Sequence, residues 1–287
     1  MHPLVKWTAL TLAICLPLSA QAHRAWMLPS ATVLSGEDPW VTVDAAVSND
    51  LFYFEHFSMR IEGIGDISTQ PAGQRARPAA KLHVIAPDGS EVQPQNSAIG
   101  RYRSTFDLHL TQKGTYKLAI ANSGLFASWK EGQENKRWMG KAADFAKQVP
   151  ANAEELQVSQ NSSRMEVFVT SGNPSDSVLK TTGVGLELAP ITHPNDLFAG
   201  EAAEFSLLLD GKPAAGVAVS VIPGGNRYRD QLGEIKTTSD AAGKISITWP
   251  QAGMYWLEAE LKTSEGVSAP ASERRASYSA TLEVLAP

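Results

Sequence analysis

The chain is nearly devoid of cysteine: Cys15 is the only one in 287 residues, and it lies in a segment expected to be removed. Disulfides are thereby excluded as a source of stability, so the protein must bury cores of its own. Long runs of like charge are also missing. The formal net charge is −5, and loss of Lys6 with the first 22 residues takes it to −6. Nucleic acid and anionic membrane surfaces are therefore poor partners. No G-x-S-x-G elbow, H-E-x-x-H pair or glycine-rich phosphate loop occurs, and with no thiol nucleophile the common routes to hydrolysis and phosphoryl transfer fall away. Acids such as Asp38 and Asp44 are too ordinary to nominate a hydrolase, so the chain is expected not to be an enzyme.

What is present begins at the N-terminus. Lys6, an apolar stretch from Trp7 to Leu18 and the small-residue site Ala20-Gln21-Ala22 have the order of a secretory signal. The stretch is too short to span a bilayer. Cys15 follows Leu12-Ala13-Ile14 rather than the small residue of a lipoprotein signal. Residues 1–22 are read as a signal peptide, which makes the protein exported, periplasmic and free of any membrane insertion after cleavage. Cleavage after Ala22 would leave His23 as the first residue.

Along the rest of the chain the apolar residues alternate with polar ones. Val41, Val43, Ala45 and Val47 fall on one face, as do Phe106, Leu108 and Leu110, Met165, Val167 and Val169, Val217, Val219 and Val221, and Ile245, Ile247 and Trp249. Period two means strands. Pro87-Asp88-Gly89, Lys113-Gly114, Asp210-Gly211, Pro223-Gly224-Gly225 and Ala242-Gly243 supply turns between them. One short helix is expected around Lys141 to Gln148, before Pro150. Gly114-Thr115-Tyr116 and Gly253-Met254-Tyr255 each read as a turn glycine feeding a strand with an early tyrosine, a feature of immunoglobulin-like sandwiches. The expected fold is mainly β, with two immunoglobulin-like β-sandwich domains in tandem: residues 23–188 and 196–287, joined by a proline-containing linker at 189–195.

Three segments carry a family resemblance: His23-Arg24-Ala25-Trp26-Met27-Leu28-Pro29, Asn49-Asp50-Leu51-Phe52-Tyr53-Phe54-Glu55-His56, and Thr192-His193-Pro194-Asn195-Asp196. Together they resemble the DUF4198 family of exported bacterial proteins, over nearly the whole mature chain. The resemblance implies a periplasmic component of nickel or cobalt uptake, with a membrane transporter or outer-membrane receptor as partner. The stretch from Asp210 through Tyr255 also resembles carboxypeptidase-regulatory and collagen-adhesin B-type modules, which are small structural sandwiches.

The residues themselves point to metal as well. An N-terminal histidine chelates through its α-amine and Nδ1, and a second imidazole completes a three-nitrogen brace suited to copper and acceptable to nickel. His23 and His56 are the expected ligands, because His56 closes the aromatic run Phe52-Tyr53-Phe54 at a strand end that can share a rim with the chain start. Glu55, Asp107 and His109 are weaker candidates; the last two share the solvent side of one strand. His83 lies on a face with Lys81, and His193 precedes Pro194 in the linker, so neither is favoured. Competing readings are a copper carrier or resistance protein, a copper-dependent polysaccharide oxidase, and an adhesion or scaffold protein without metal. The missing disulfides and the lack of a flat aromatic surface weigh against the oxidase.

Overall fold

A computed structural model describes residues 23–65 and 79–287; the expected signal peptide lies outside the described residues. The described residues are mainly β, 54% strand and 4% helix, arranged in several sheets with an immunoglobulin-like sandwich fold. The strands of the N-terminal half are β1 (Arg24–Pro29), β2 (Val33–Leu34), β3 (Trp40–Ser48), β4 (Phe57–Ser58), β5 (Leu82–Ile85), β6 (Gln95–Ile99), β7 (Ser104–His109), β8 (Gly114–Glu131), β9 (Glu134–Gly140) and β10 (Glu154–Ser171). The one α-helix among the described residues, α1 (Ala142–Gln148), falls within the expected segment and buries none of its residues. The C-terminal half adds β11 (Leu186–Pro190), β12 (Ala202–Leu209), β13 (Lys212–Pro213), β14 (Ala218–Pro223), β15 (Ile235–Thr238), β16 (Lys244–Thr248), β17 (Gly253–Thr263) and β18 (Glu273–Val284).

Alternation explains the layers. Val41, Val43 and Ala45 of β3 line one core beside Phe106 and Leu108 of the adjacent β7, and the core is closed on its far side by Tyr116, Leu118, Val167 and Val169 from β8 and β10. A second core holds Val219 and Val221 of β14, Ile245 and Ile247 of β16, Phe205, Trp249 and Tyr278. The first core draws on residues 27–169 and the second on residues 186–284. One sheet serves both cores, running β15-β14-β17-β18-β10-β8-β5. Its seam is the parallel pairing of β10 with β18, from Ser159 opposite Glu273 to Val167 opposite Thr281.

Each half carries a tyrosine corner. The Tyr116 hydroxyl donates to the Gln112 carbonyl at 3.2 Å and accepts from the Gln112 amide at 2.7 Å, while the Tyr255 hydroxyl donates to the Gln251 carbonyl at 2.8 Å. Both tyrosines are fully buried, so the hydroxyl needs a partner and takes it from the backbone four residues back.

A third apolar cluster lies between the halves: Trp26, Ala46 and Leu51 meet Ile222 and Trp256. Trp26 donates from Nε1 to Ser48 Oγ at 2.8 Å, and Trp256 donates from Nε1 to the Ala25 carbonyl at 3.3 Å. Burying two indoles with both N–H groups satisfied stabilises this junction by several kcal/mol, at roughly 25 cal/mol per Å² of apolar surface. The strand that follows the candidate histidine is thus held from both halves.

Candidate metal site

His23 immediately precedes β1, and β1 pairs with β3 so that Arg24 stands opposite Ser48. On the other side of β3, β4 pairs Phe57 with Val47. His23 and His56 therefore flank the same end of β3, two strand spacings apart, or roughly 10 Å between backbones. Their side chains close that gap over the strand end. The two imidazole centroids lie 4.0 Å apart with an interplanar angle of 9°, and the Phe57 ring packs 4.6 Å from His56 and 6.3 Å from His23. Both histidines are exposed.

Stacked rings present their nitrogen lone pairs in nearly parallel planes, so as they stand they do not converge on one point. Metal–nitrogen bonds near 2 Å require the exposed rings to turn about their side-chain torsions, a change between staggered rotamers. Among the described residues no set of three histidine, cysteine, aspartate or glutamate side chains is arranged to hold an ion. A third donor must be of another kind, and in a chain beginning at His23 the α-amine would be such a nitrogen, carried on the same residue as one of the two rings. The arrangement fits a nitrogen-bound first-row ion on that condition.

Neighbouring charge is arranged around the site without entering it. The Arg24 guanidinium lies 5.4 Å over the Trp256 ring. Glu234 is raised by burial but held below its usual range, chiefly by the Ser220 and Lys236 hydrogen bonds and the Lys236 charge, with Arg24 adding least; on Glu258 the Arg24 charge only opposes a rise. For Glu258 burial prevails, with help from the nearby Glu260 charge, and pushes its carboxyl up to about 7.

The weaker candidates are spoken for individually. Glu55 Oε1 accepts from the Asn49 amide at 2.8 Å and the Asp50 amide at 3.0 Å, which closes the loop that carries His56. Asp107 and His109 do share the outer face of β7 but have different partners. Asp107 accepts from Thr42 Oγ1 at 2.7 Å and from Asn96 Nδ2 at 3.0 Å. His109 hydrogen-bonds through Nε2 to Asp38 and stacks on Trp40 at 4.3 Å. The His109 and Trp40 hydrogen bonds hold the Asp38 carboxyl below its usual range. His83 pairs with Glu91 at 2.9 Å.

His193 is structural. Its Nδ1 accepts from the Asn195 amide at 3.0 Å, which leaves the proton on Nε2, facing Thr115 Oγ1 at 3.2 Å and the Ser175 carbonyl at 3.3 Å. Burial lowers the pKa of this imidazole, in keeping with a neutral ring that ties β8 to the linker.

Local reading passed over Phe57, which packs on both rings, and gave the segment 223–229 of the other half no more than a turn. Pro223-Gly224-Gly225-Asn226 is not a tight hairpin turn: a longer loop joins β14 to β15, with a turn of 3₁₀ helix at Asn226–Tyr228. Arg229 holds it shut by donating to the carbonyls of Gly224, Pro223 and Leu232 at 2.6, 2.8 and 3.1 Å. Arg227 lies 4.0 Å over the Tyr53 ring.

No curated protein matches the chain. Among solved structures it is similar to the D0-D1 domain of intimin, at 10% identity over 90% of this chain and 97% of that one, with a TM-score of 0.22. It is also similar to trypsin-activated alpha-2-macroglobulin from Escherichia coli, at 14% identity over 91% of this chain, with a TM-score of 0.22; the match spans 16% of the macroglobulin. Residues 20–263 match a family described as a domain of unknown function, DUF4198. That match takes in both candidate ligands, both tyrosine corners and the segment that braces the His56 loop, and the chain belongs to the DUF4198 family.

Proposed function

We propose that this is an exported, periplasmic transition-metal-binding protein that serves in nickel or cobalt uptake or delivery. His23 and His56 hold the ion. The stacking of their rings at 4.0 Å, across residues 33 positions apart in sequence, is the observation that carries the reading. Two exposed aromatic cations or neutral rings gain little by meeting in water, whereas two imidazoles side by side are a nitrogen pair for a first-row ion. Cleavage after Ala22 supplies the third nitrogen, the His23 amine. The ion is cargo in this reading, and the protein binds and passes it on to a membrane transporter or outer-membrane receptor without catalysis.

The same donor set supports a second reading, a copper carrier or resistance protein. An amine and two imidazoles favour a tetragonal ion, and affinity for such a site rises from cobalt through nickel to copper. The type of the donors favours copper, and the family resemblance favours nickel or cobalt.

Calorimetric titration of protein beginning at His23 with nickel, cobalt and copper tests both. His56→Ala should weaken binding far more than His83→Ala or His193→Ala, with circular dichroism confirming that all three fold. Equal affinities across the three variants would remove His56 from the site and the proposal with it.

A further inference from the structure

His56 ends a loop, residues 49–56, that is held by residues about 170 positions away. Asp50 Oδ1 accepts from Asn226 Nδ2 at 2.9 Å. Phe52 is seated on Gly224: a β-carbon at position 224 would stand 2.9 Å from Phe52 Cδ2 and 3.1 Å from the Met254 carbonyl oxygen, so a side chain there displaces the ring. Phe52 itself has φ +61, a left-handed backbone that a bulky residue adopts only under constraint. Trp26 meets the same ring edge-on at 5.5 Å. From within, Ser48 Oγ donates to the Asp50 carbonyl at 2.5 Å, and Glu55 takes the Asn49 and Asp50 amides.

Such strain persists only where the surroundings over-determine it, and here several independent contacts converge on eight residues. The Asn226–Tyr228 turn buries none of its own residues, so its hold on the loop is not a by-product of core packing in its own half. A loop in a costly conformation, pinned from outside, keeps one ligand where a relaxed loop would not.

We propose that Gly224 and Asn226 are positioning residues for His56: the C-terminal half holds the 49–56 loop in the conformation that sets the His56 ring against His23. The purpose of this device rests on the reading of the two histidines as metal ligands, while the positioning itself can be observed without metal. The C-terminal half is then part of the binding apparatus and not a spacer. Release of the loop lowers the fraction of molecules in the binding-competent arrangement, and apparent affinity falls by the same factor.

The test uses metal-free protein beginning at His23, with Gly224→Ala, Asn226→Ala and, as a control at an exposed position on β16 of the same half, Lys244→Ala. Proton NMR reads the cross-peak between the His23 and His56 rings, and nickel titration follows on the same samples. Gly224→Ala and Asn226→Ala should lose most of the cross-peak and bind nickel about tenfold more weakly, the factor expected for a hydrogen bond to a carboxylate at the low end of its range. Lys244→Ala should match the parent. Should Gly224→Ala fail to fold, Asn226→Ala decides alone, since it removes one partly exposed hydrogen bond. A cross-peak retained in folded variants, or absent from the parent, overturns the positioning role. If the parent shows the cross-peak but takes up no nickel, the metal reading fails while the positioning role is still decided by the variants.

Discussion

Glu258 should make the protein less stable as pH rises through neutrality. It lies on β17 between Ser220 of β14 and Ser279 of β18, on the sheet face turned away from the second core. Burial raises its carboxyl first, the Glu260 charge raises it further, and Arg24 only partly opposes them, which leaves it at about 7 against 4.5 in the unfolded chain. A raised folded value means that the neutral acid is the form the fold prefers. Its contribution is fully present below pH 4.5 and is lost as pH rises to 7, because the folded state retains a proton that the unfolded state has released. Moving a carboxyl from 4.5 to about 7 corresponds to roughly 3 kcal/mol between its protonation states. Glu258→Gln keeps the shape and removes the titration. Urea unfolding of parent and variant from pH 4 to pH 8 should find them equal at the acid end, with Glu258→Gln more stable by roughly 3 kcal/mol at pH 8. A difference that does not change with pH, or a parent more stable than the variant at pH 8, would refute the reasoning.

The two tyrosine corners should differ in worth. Tyr255→Phe removes one hydrogen bond and should cost about 1 kcal/mol, while Tyr116→Phe also strips the Gln112 amide of its acceptor and should cost about 2 kcal/mol; thermal unfolding that ranks them the other way would contradict this. Glu187 is buried and accepts from the Thr182 amide and hydroxyl and from the Gly183 and Val184 amides, with Arg164 3.5 Å away. Glu187→Ala strands these donors and should destabilise by about 3–5 kcal/mol in urea unfolding, and a loss under about 1 kcal/mol would show that the network is dispensable.

The legible parts of the fold were those in which one face is buried. On β3, β7, β14 and β16 alternate side chains enter a core, and alternation recovers the strands and their inward residues. β8 and β10 are different: each runs 18 residues, and toward Glu131 and Glu154 they leave the two main cores and bury Leu125, Ala127 and Val158 in a small separate cluster with Val149 and Ala271. Leu125, Ala127 and Trp129 alternate there, but the residues that cover them come from 138–158 and from 267 and 271, so no local signal showed what they pack against. The seam between β10 and β18 had none either, since the partners are over 110 residues apart and both strands would read the same with another neighbour.

The site divides in the same way. His23 and His56 were both readable from position, one after a cleavage signal and one at the end of an aromatic run. Their approach to 4.0 Å agrees with the expectation that strand ends share a rim. Asp107 and His109 shared a strand face as period two requires, yet each found a closer partner from β3, β6 or the turn before β3. Period places a side chain on a face without naming its neighbour. Gly224 and Asn226 carried no hint of a role, because what they do is defined by Phe52 and Asp50, in the other half of the chain.

Metal binding as proposed turns on the His23 amine. Two proteins should be compared, one beginning at His23 and one retaining Ala22 ahead of it, in parallel calorimetric titrations with nickel and with copper at neutral pH. The extra residue turns the amine into a peptide nitrogen and moves the charge one residue away, while β1, the 49–56 loop and both imidazoles are unchanged. The account predicts tight one-to-one binding by the protein that begins at His23 and a loss of at least about a hundredfold on adding Ala22, as expected when one of three chelating nitrogens is removed. Equal affinity in the two proteins would contradict it.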